Sequence, residues 1–286
     1  MCDELYLVSN NGIGDNLFMI GAINYLSKFY KKIHFIIKKK NYDILKDCYN
    51  KSFVNIIKIN SNGGSNEKTE ICKLLKNKYD KYDVIVCGSN KKNNKNKITN
   101  KEFLKNNLDN NIKYDLNFDT INNNNYKFIQ NFYKDCNLNI NIFYEYFNIP
   151  FSNKSKELYD TISNYNVIFL QENCSNNIKL NIEKLLKEKL YEENIILICS
   201  TRNLYNNVDI NNEKYNENII SIKKTLTQKF VLTNINCYYD TIINSDEIYI
   251  IDSCIIGFIL PLVKTNKLKA NTVRIINRCY VKNYKL

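Results

Sequence analysis

The sequence is poor in several residue types from which recognisable functional sites are built. Its 286 residues include no tryptophan, two prolines, two methionines, seven glycines and one histidine. With His34 as the single imidazole, a cysteine–histidine zinc site is disfavoured, and a Ser–His–Asp or Cys–His mechanism would have to use His34. His34 stands in the apolar run 33–37, which predicts a strand and favours a structural role for this residue.

The sequence also lacks paired cysteine motifs and long apolar runs. Its ten cysteines are scattered without any Cys-x-x-Cys, and Cys87 and Cys199 fall in apolar runs that predict strands. This pattern is typical of buried free thiols in a reducing compartment, so a cytoplasmic location is expected. The acidic opening residues predict no signal peptide, and the longest apolar run, 255–263, is far below the ~20 residues that span a bilayer.

Positive charge is in excess, with a formal net charge of +12. A basic surface attracts nucleic acid, a phosphorylated substrate or an anionic membrane, which would allow peripheral contact with such a membrane. The bias of the whole sequence towards asparagine and lysine is the favoured explanation of this charge. No zinc-finger or aromatic-basic RNA-binding signature is present, so no specific nucleic-acid partner is expected.

Apolar runs and helical periodicities alternate along the chain. In the first half, strands are predicted at 5–9, 32–37, 54–59 and 84–87, with a helix at 17–30 and others between the later strands. In the second half, strands are predicted at 167–170, 195–199, 219–222, 248–251 and 273–276, with a helix at 178–190. This alternation predicts α/β architecture with parallel sheets, and the polar segment around Pro150 predicts a hinge between domains 1–150 and 151–286.

The stretch 10–22 carries the first candidate site, because a glycine turn follows the first predicted strand and precedes a helix. Gly12 and Gly14 could adopt positive φ and let a ligand approach the backbone, while Asp15 and Asn16 stand at the helix N-terminus. No Gly-Lys-Ser/Thr follows, which excludes a P-loop, and Gly21 comes too late to complete a dinucleotide fingerprint. Asp15 is then either a simple helix cap or a ligand contact.

Polar residues also follow the predicted strands of the second half. Asp252 and Ser253 come after the run 248–251, and either could cap the apolar helix that follows. The segments 171–175 and 200–202 also follow strand ends, where open α/β sheets bind their ligands. In this half the candidate contacts are Gln171, Asn173, Ser175, Ser200, Arg202, Asp252 and Ser253.

The Gly12-Ile13-Gly14-Asp15 turn and the late Asp252-Ser253 turn resemble motifs of the GT-B-fold glycosyltransferases of the heptosyltransferase type. The resemblance implies two Rossmann-like α/β domains that face each other across a cleft. It implies an acceptor, a glycan or another hydroxyl compound, on the first domain and a nucleotide-sugar donor on the second. Asp15 would be the catalytic base, with Gly12, Gly14 and Asn16 beside it, and neither metal nor cofactor is expected.

Three features depart from that pattern. Cys254 stands where the family has glycine, and residues 256–259 offer no histidine at the usual place in the following helix. The second half also lacks the usual lysine and glycine pattern that cradles phosphate. The alternatives are a catalytically inactive binding protein of the same fold and a basic nucleic-acid-binding protein. A nicotinamide-dependent oxidoreductase fits less well, because lysines 38–40 follow the second strand where an acidic residue would bind ribose.

Overall fold

The structure is a computed structural model of the chain. It describes residues 3–9, 12–60, 65–87, 124–174, 179–181, 186–208, 216–251 and 253–276. The chain divides into two compact units, and the division among the described residues falls between Pro150 and Phe151. Each unit contains one four-stranded parallel sheet with helices in its connections, which confirms the prediction of an α/β chain with parallel sheets.

The first unit alternates strands and helices and then adds two helices. Its elements are β1 (Glu4–Val8), α1 (Ile13–Phe18), α2 (Ile20–Leu26), β2 (Lys32–Lys38), α3 (Lys39–Leu45), β3 (Val54–Ile59), α4 (Ser65–Leu75), β4 (Asp83–Val86), α5 (Asn124–Asp135) and α6 (Asn141–Glu145). The sheet order is β3-β2-β1-β4, all parallel. The central strands β1 and β2 are buried almost throughout, because helices cover both faces of such a sheet.

The second unit repeats this plan. Its elements are α7 (Asn153–Asp160), β5 (Asn166–Gln171), β6 (Ile195–Cys199), α8 (Glu217–Gln228), α9 (Tyr239–Asn244), β7 (Glu247–Ile251), α10 (Ile256–Lys264) and β8 (Thr272–Ile276). Short 3₁₀ turns lie at Glu188–Leu190, Leu204–Asn207 and Ile235–Tyr238. The sheet order is β6-β5-β7-β8, again parallel. No helix within the described ranges has the length and apolar character needed to cross a bilayer.

The strand order creates a switch point in each sheet. β1 lies between β2, which follows it, and β4, which comes much later; β5 lies likewise between β6 and β7. At such a point the connections leave in opposite directions, and the carboxyl ends of the two strands border a crevice where α/β sheets bind ligands. The candidate residues of the sequence follow β1, β5, β6 and β7.

The helix predicted over 17–30 is in fact two helices, and a side chain causes the break. Tyr133, on α5, donates a hydrogen bond from its hydroxyl to the Phe18 carbonyl at 2.8 Å and accepts one from the Ala22 N–H at 3.1 Å. These two backbone groups would otherwise pair with each other in a continuous helix. The buried hydroxyl thus takes the place of one helical hydrogen bond and fixes α1 relative to α2.

α2 packs closely against the backbone of α6. A Cβ atom at Gly21 would lie 2.6 Å from the Ile142 carbonyl oxygen and 2.9 Å from the Phe143 Cα. Contacts this short exclude any side chain, so Gly21 lets the two helices approach. Gly21, which comes too late in the sequence to complete a dinucleotide fingerprint, therefore has a packing role.

The strand predicted at 219–222 is wrong, because these residues lie within α8. Asn216 caps this helix, accepting a hydrogen bond from the Asn218 N–H at 3.1 Å, and Ile220, Lys223 and Thr227 form its buried side. The run of isoleucines has strand propensity, but tertiary burial along a helical face overrides it.

In the predicted helix 178–190, Lys179 instead forms an antiparallel bridge with Asn173.

Lys223 is a buried cation of the second unit. Its Nζ donates a hydrogen bond to the Glu192 carbonyl and lies 5.9 Å from the centre of the Tyr205 ring. Burial lowers the pKa of the amine from 10.5 to about 8, while Glu192 and Glu193 act in the opposite direction. The charged form of the Lys223 amine therefore costs free energy at this position.

Candidate functional site

Asp15 lies in the first turn of α1, directly after the loop that leaves β1. Its Oδ2 accepts a hydrogen bond from the Gly12 N–H at 3.0 Å, so the carboxylate caps the helix. Gly12 has φ −78° and ψ 157°, an extended conformation that any residue adopts, and Gly14 lies inside the helix. Neither glycine therefore uses the positive φ that its lack of a side chain would allow.

The surroundings of Asp15 make it a stronger base than an ordinary aspartate. Burial raises the pKa of its carboxyl group from 3.8 to about 6. The Gly12 hydrogen bond and the positive charge of Lys38 oppose this rise, whereas the negative charge of Glu67 adds to it. Lys38 ends β2, Glu67 lies in the first turn of α4, and their charged groups form an ion pair at 2.8 Å.

Asn16 is fully buried beside Asp15 and holds the loop after β1. Its Oδ1 accepts a hydrogen bond from the Ser9 hydroxyl at 2.6 Å, and its carbonyl accepts one from the Tyr49 hydroxyl at 2.7 Å. The Nδ2 atom is buried and has no hydrogen-bond partner among the described residues. The predicted site residues Gly12, Gly14, Asp15 and Asn16 thus lie together at the carboxyl end of β1.

In the second unit, Gln171 and Ser200 join the carboxyl ends of β5 and β6. The Ser200 hydroxyl donates a hydrogen bond to Gln171 Oε1, and Gln171 Nε2 donates one to the Asn173 carbonyl at 2.9 Å. The Ser200 carbonyl accepts hydrogen bonds from the Leu232 N–H at 3.0 Å and the Tyr238 hydroxyl at 3.2 Å. These contacts fix the two loops to each other.

Glu172 is the central charged residue of this cluster, and the sequence analysis did not single it out. Its side chain is 2% exposed, and both carboxylate oxygens accept hydrogen bonds from Arg202 Nε at 3.0 Å. Thr201 also donates to Oε1, at 3.0 Å. A buried carboxylate of this kind orients the arginine, whose side chain is one-third exposed. The sequence did contain a signal for this pair, since an acidic residue follows one buried strand and an arginine follows the neighbouring strand.

The remaining predicted residues of the second unit have different outcomes. Asn173 lies in the loop after β5, and its Oδ1 is buried without a hydrogen-bond partner in the described part of the chain. Ser253 follows β7, but α10 begins after Ile255 without a side-chain cap, so the predicted capping by Ser253 is wrong. The Ser253 hydroxyl is likewise buried and unpaired within the described residues. Ser175 and Asp252 lie outside the described residues.

His34 lies away from the strand ends that carry these residues, whereas Cys199 is the last residue of β6 and its Sγ lies 3.3 Å from Thr201 Oγ1. His34, in the middle of β2, contacts the Glu4 carboxylate at 2.7 Å and Asn55 at 3.0 Å, and stacks on Tyr6. This is the structural environment that its position in a strand predicted. Cys87 and Cys199 are buried and take part in no disulfide, as predicted. Among the described residues, no group of three or more His, Cys, Asp or Glu side chains could hold a metal ion.

Comparison with known proteins gives one structural similarity. Neither a protein-family model nor a curated protein matches the sequence. The chain is similar to the crystal structure of the glycosyl transferase family 9 protein from Veillonella parvula DSM 2008, with a TM-score of 0.49 and 8% sequence identity. The similarity covers 99% of this chain and 90% of that chain.

Proposed function

We propose that the chain is a glycosyltransferase that moves a sugar from a nucleotide-sugar donor to an acceptor hydroxyl group without a metal, with Asp15 as the base. The observation that carries the proposal is the carboxyl group of Asp15, which lies at the switch point of the first sheet and has a raised pKa. A carboxyl group with a pKa of about 6 is ionised at neutral pH and is a better proton acceptor than an ordinary aspartate. Gly12 holds it in one orientation.

In the proposed reaction, the acceptor oxygen forms a bond to the anomeric carbon of the donor sugar. The bond between that carbon and the diphosphate oxygen breaks, and its electron pair leaves with the diphosphate. The proton of the acceptor hydroxyl passes to Asp15, which becomes neutral. A base in contact with this hydroxyl contributes about 10²–10⁴-fold to such a step.

The polar cluster at the ends of β5 and β6 is proposed to bind the donor. Arg202 would place its positive charge near the leaving diphosphate, and Glu172 would hold the guanidinium in the required orientation. Gln171, Asn173 and Ser200 would contact the nucleotide or sugar, together with Ser253 after β7. Ser175 and Asp252 remain predicted contacts of the same kind.

The assignment of the acceptor to the first unit and of the donor to the second is part of the proposal. Asp15 and the Glu172–Arg202 pair belong to different units. Transfer between them requires a cleft across which the two sets of strand ends face each other. The net charge of +12 would favour an anionic acceptor or an acceptor at an anionic membrane surface.

A thermal-shift screen against nucleoside diphosphates and nucleotide sugars tests the donor side first. Binding at 100 times the dissociation constant stabilises the native state by about 2.7 kcal/mol, which is readily detected. Arg202→Gln should weaken binding of the stabilising donor, whereas Arg274→Gln, a matched change on β8, should not. Absence of any stabilising nucleotide sugar would contradict the proposal.

The variant Asp15→Asn then tests the base. It should bind the donor as the wild type does but lose at least about 100-fold in transfer rate. Asp43→Asn is the matched control, because Asp43 is 81% exposed and paired with Lys46. Unchanged turnover in Asp15→Asn would remove Asp15 from the mechanism.

One observation favours a second candidate, a non-catalytic binding protein of the same fold. The hydrogen bond from Gly12 makes Asp15 a helix cap, which alone accounts for an aspartate at this position. Such a protein would show nucleotide-sugar binding in the screen but no transfer or hydrolysis by the wild-type chain. The transfer assay with the stabilising donor therefore separates the two candidates.

A further inference from the structure

The ion pair of Lys38 and Glu67 differs from most others in the first unit by its burial. The two side chains are 14% and 19% exposed, whereas those of the Lys31–Asp3 pair are 80% and 62% exposed. Solvated surface pairs of the second kind contribute little and hold no fixed geometry. The Lys38–Glu67 pair is held between two elements, with Lys38 at the end of β2 and Glu67 at the start of α4.

This pair shares one edge of the sheet with Asp15. β2 lies between β1 and β3, so the carboxyl ends of three neighbouring strands bring together Asp15 after β1, Lys38 on β2 and Glu67 after β3. Two carboxylates therefore compete for one ammonium group. Lys38 pairs directly with Glu67 at 2.8 Å and acts on Asp15 through its longer-range field.

We propose that Lys38 and Glu67 are positioning residues that set the charge state of Asp15, with Glu67 holding the lysine so that Asp15 remains a strong base; this inference rests on the proposed function. With Asp15 ionised, the three charges sum to −1, and this excess is partly buried. Transfer of the acceptor proton to Asp15 leaves Lys38 and Glu67 as a balanced pair. The cluster therefore favours the direction of proton transfer that the reaction requires.

The groups that act on Asp15 come from its own loop and from two other elements. The Gly12 N–H belongs to the same loop, Lys38 comes from β2, and Glu67 comes from α4. The first two favour the ionised carboxylate, and the third favours the protonated form. Removal of Lys38 and removal of Glu67 should therefore move the pKa of Asp15 in opposite directions.

The test is an NMR titration of the Asp15 carboxyl carbon in protein labelled with ¹³C-aspartate, with the signal assigned through Asp15→Asn. In Lys38→Met the pKa of Asp15 should rise above its wild-type value of about 6, and in Glu67→Gln it should fall, each by about 1 pH unit. Glu67→Gln acts twice, because it removes a negative charge and releases Lys38. Lys38→Arg keeps the cation and should leave the titration near that of the wild type.

Matched controls separate this local effect from a change in net charge. Lys39→Met removes an exposed neighbouring lysine. Glu70→Gln removes a carboxylate one turn along α4 and keeps an acceptor for the Asn60 N–H. Neither control should move the Asp15 titration. Shifts of the same sign in Lys38→Met and Glu67→Gln, or no shift in a folded Glu67→Gln protein, would overturn the inference.

The pH dependence of transfer distinguishes failure of this inference from failure of the proposed function. The acidic limb of the kcat/KM profile should move to higher pH in Lys38→Met and to lower pH in Glu67→Gln. Opposite NMR shifts in a chain that transfers no sugar would support the charge-setting role and reject the function. Transfer that depends on Asp15, combined with an unmoved acidic limb in Glu67→Gln, would reject the inference alone.

Discussion

Replacement of Asp15 by asparagine should stabilise the folded protein at neutral pH while it abolishes the proposed reaction. The native carboxyl group has a pKa of about 6, against 3.8 for an unperturbed aspartate. Between these values the native state binds more protons than the unfolded state, so wild-type stability falls as the pH rises from 3.8 to 6. Asparagine has no proton to lose in this range.

The magnitude follows from the difference between the two pKa values. At about 1.4 kcal/mol per pH unit, the ionised Asp15 destabilises the native state by about 3 kcal/mol above pH 6. Partial solvent exposure reduces this figure, so a gain of about 1–3 kcal/mol is expected for Asp15→Asn. The asparagine Oδ1 can still accept the hydrogen bond from the Gly12 N–H, so the helix cap is retained.

Urea unfolding under reducing conditions, followed by far-UV circular dichroism over a pH series, measures this gain. The difference between Asp15→Asn and wild type should be near zero below pH 3.8 and reach its full size above pH 6. The exposed variant Asp43→Asn controls for the loss of one negative charge. An Asp15→Asn protein that is equally or less stable than wild type above pH 6 would refute the electrostatic reasoning.

Three further substitutions test other parts of the structure. Tyr133→Phe removes the hydroxyl that joins the two halves of the broken helix and should cost about 1–3 kcal/mol, with faster amide exchange at Ala22. Gly21→Ala should destabilise the folded protein by about 1–3 kcal/mol, because the alanine Cβ would lie 2.6 Å from the α6 backbone. The urea midpoint should fall even though alanine favours helix more than glycine does. Lys223→Met should raise the free energy of unfolding by about 1 kcal/mol at neutral pH, a figure already reduced for solvent screening. This gain should vanish as the pH rises from about 8 to 10.5, because the wild-type amine then loses its proton.

The strands were the most predictable part of the fold, because buried parallel strands are continuous apolar runs. The run 54–59 is β3 to the residue, and the runs before Asp15, Gln171 and Ser200 were placed within one residue. The run 219–222 is the exception, because whether its three isoleucines belong to a strand or to an amphipathic helix depends on what α8 packs against. The break at Met19 also has no local signal, since its cause is a tyrosine on α5.

The candidate residues were predictable as polar positions after strands, but their partners were not. Asp15 could be found from its turn, whereas its pairing environment depends on Lys38 and Glu67, which other strands bring to the same edge. Glu172 shows the same limit: only the alignment of β5 with β6 brings it to Arg202. Spacing along a chain predicts which element carries a side chain, and contacts between elements decide its charge and orientation.

The hydroxyl of Tyr133 also has a consequence for the order of folding. It bonds to groups 111 and 115 positions earlier in the chain, so the segment bearing Asp15 cannot take its final shape until α5 has docked. Contacts between such distant positions form late, after neighbouring strands have begun to pair. The sheet of the first unit would therefore begin to assemble before the segment that bears Asp15 takes its final shape.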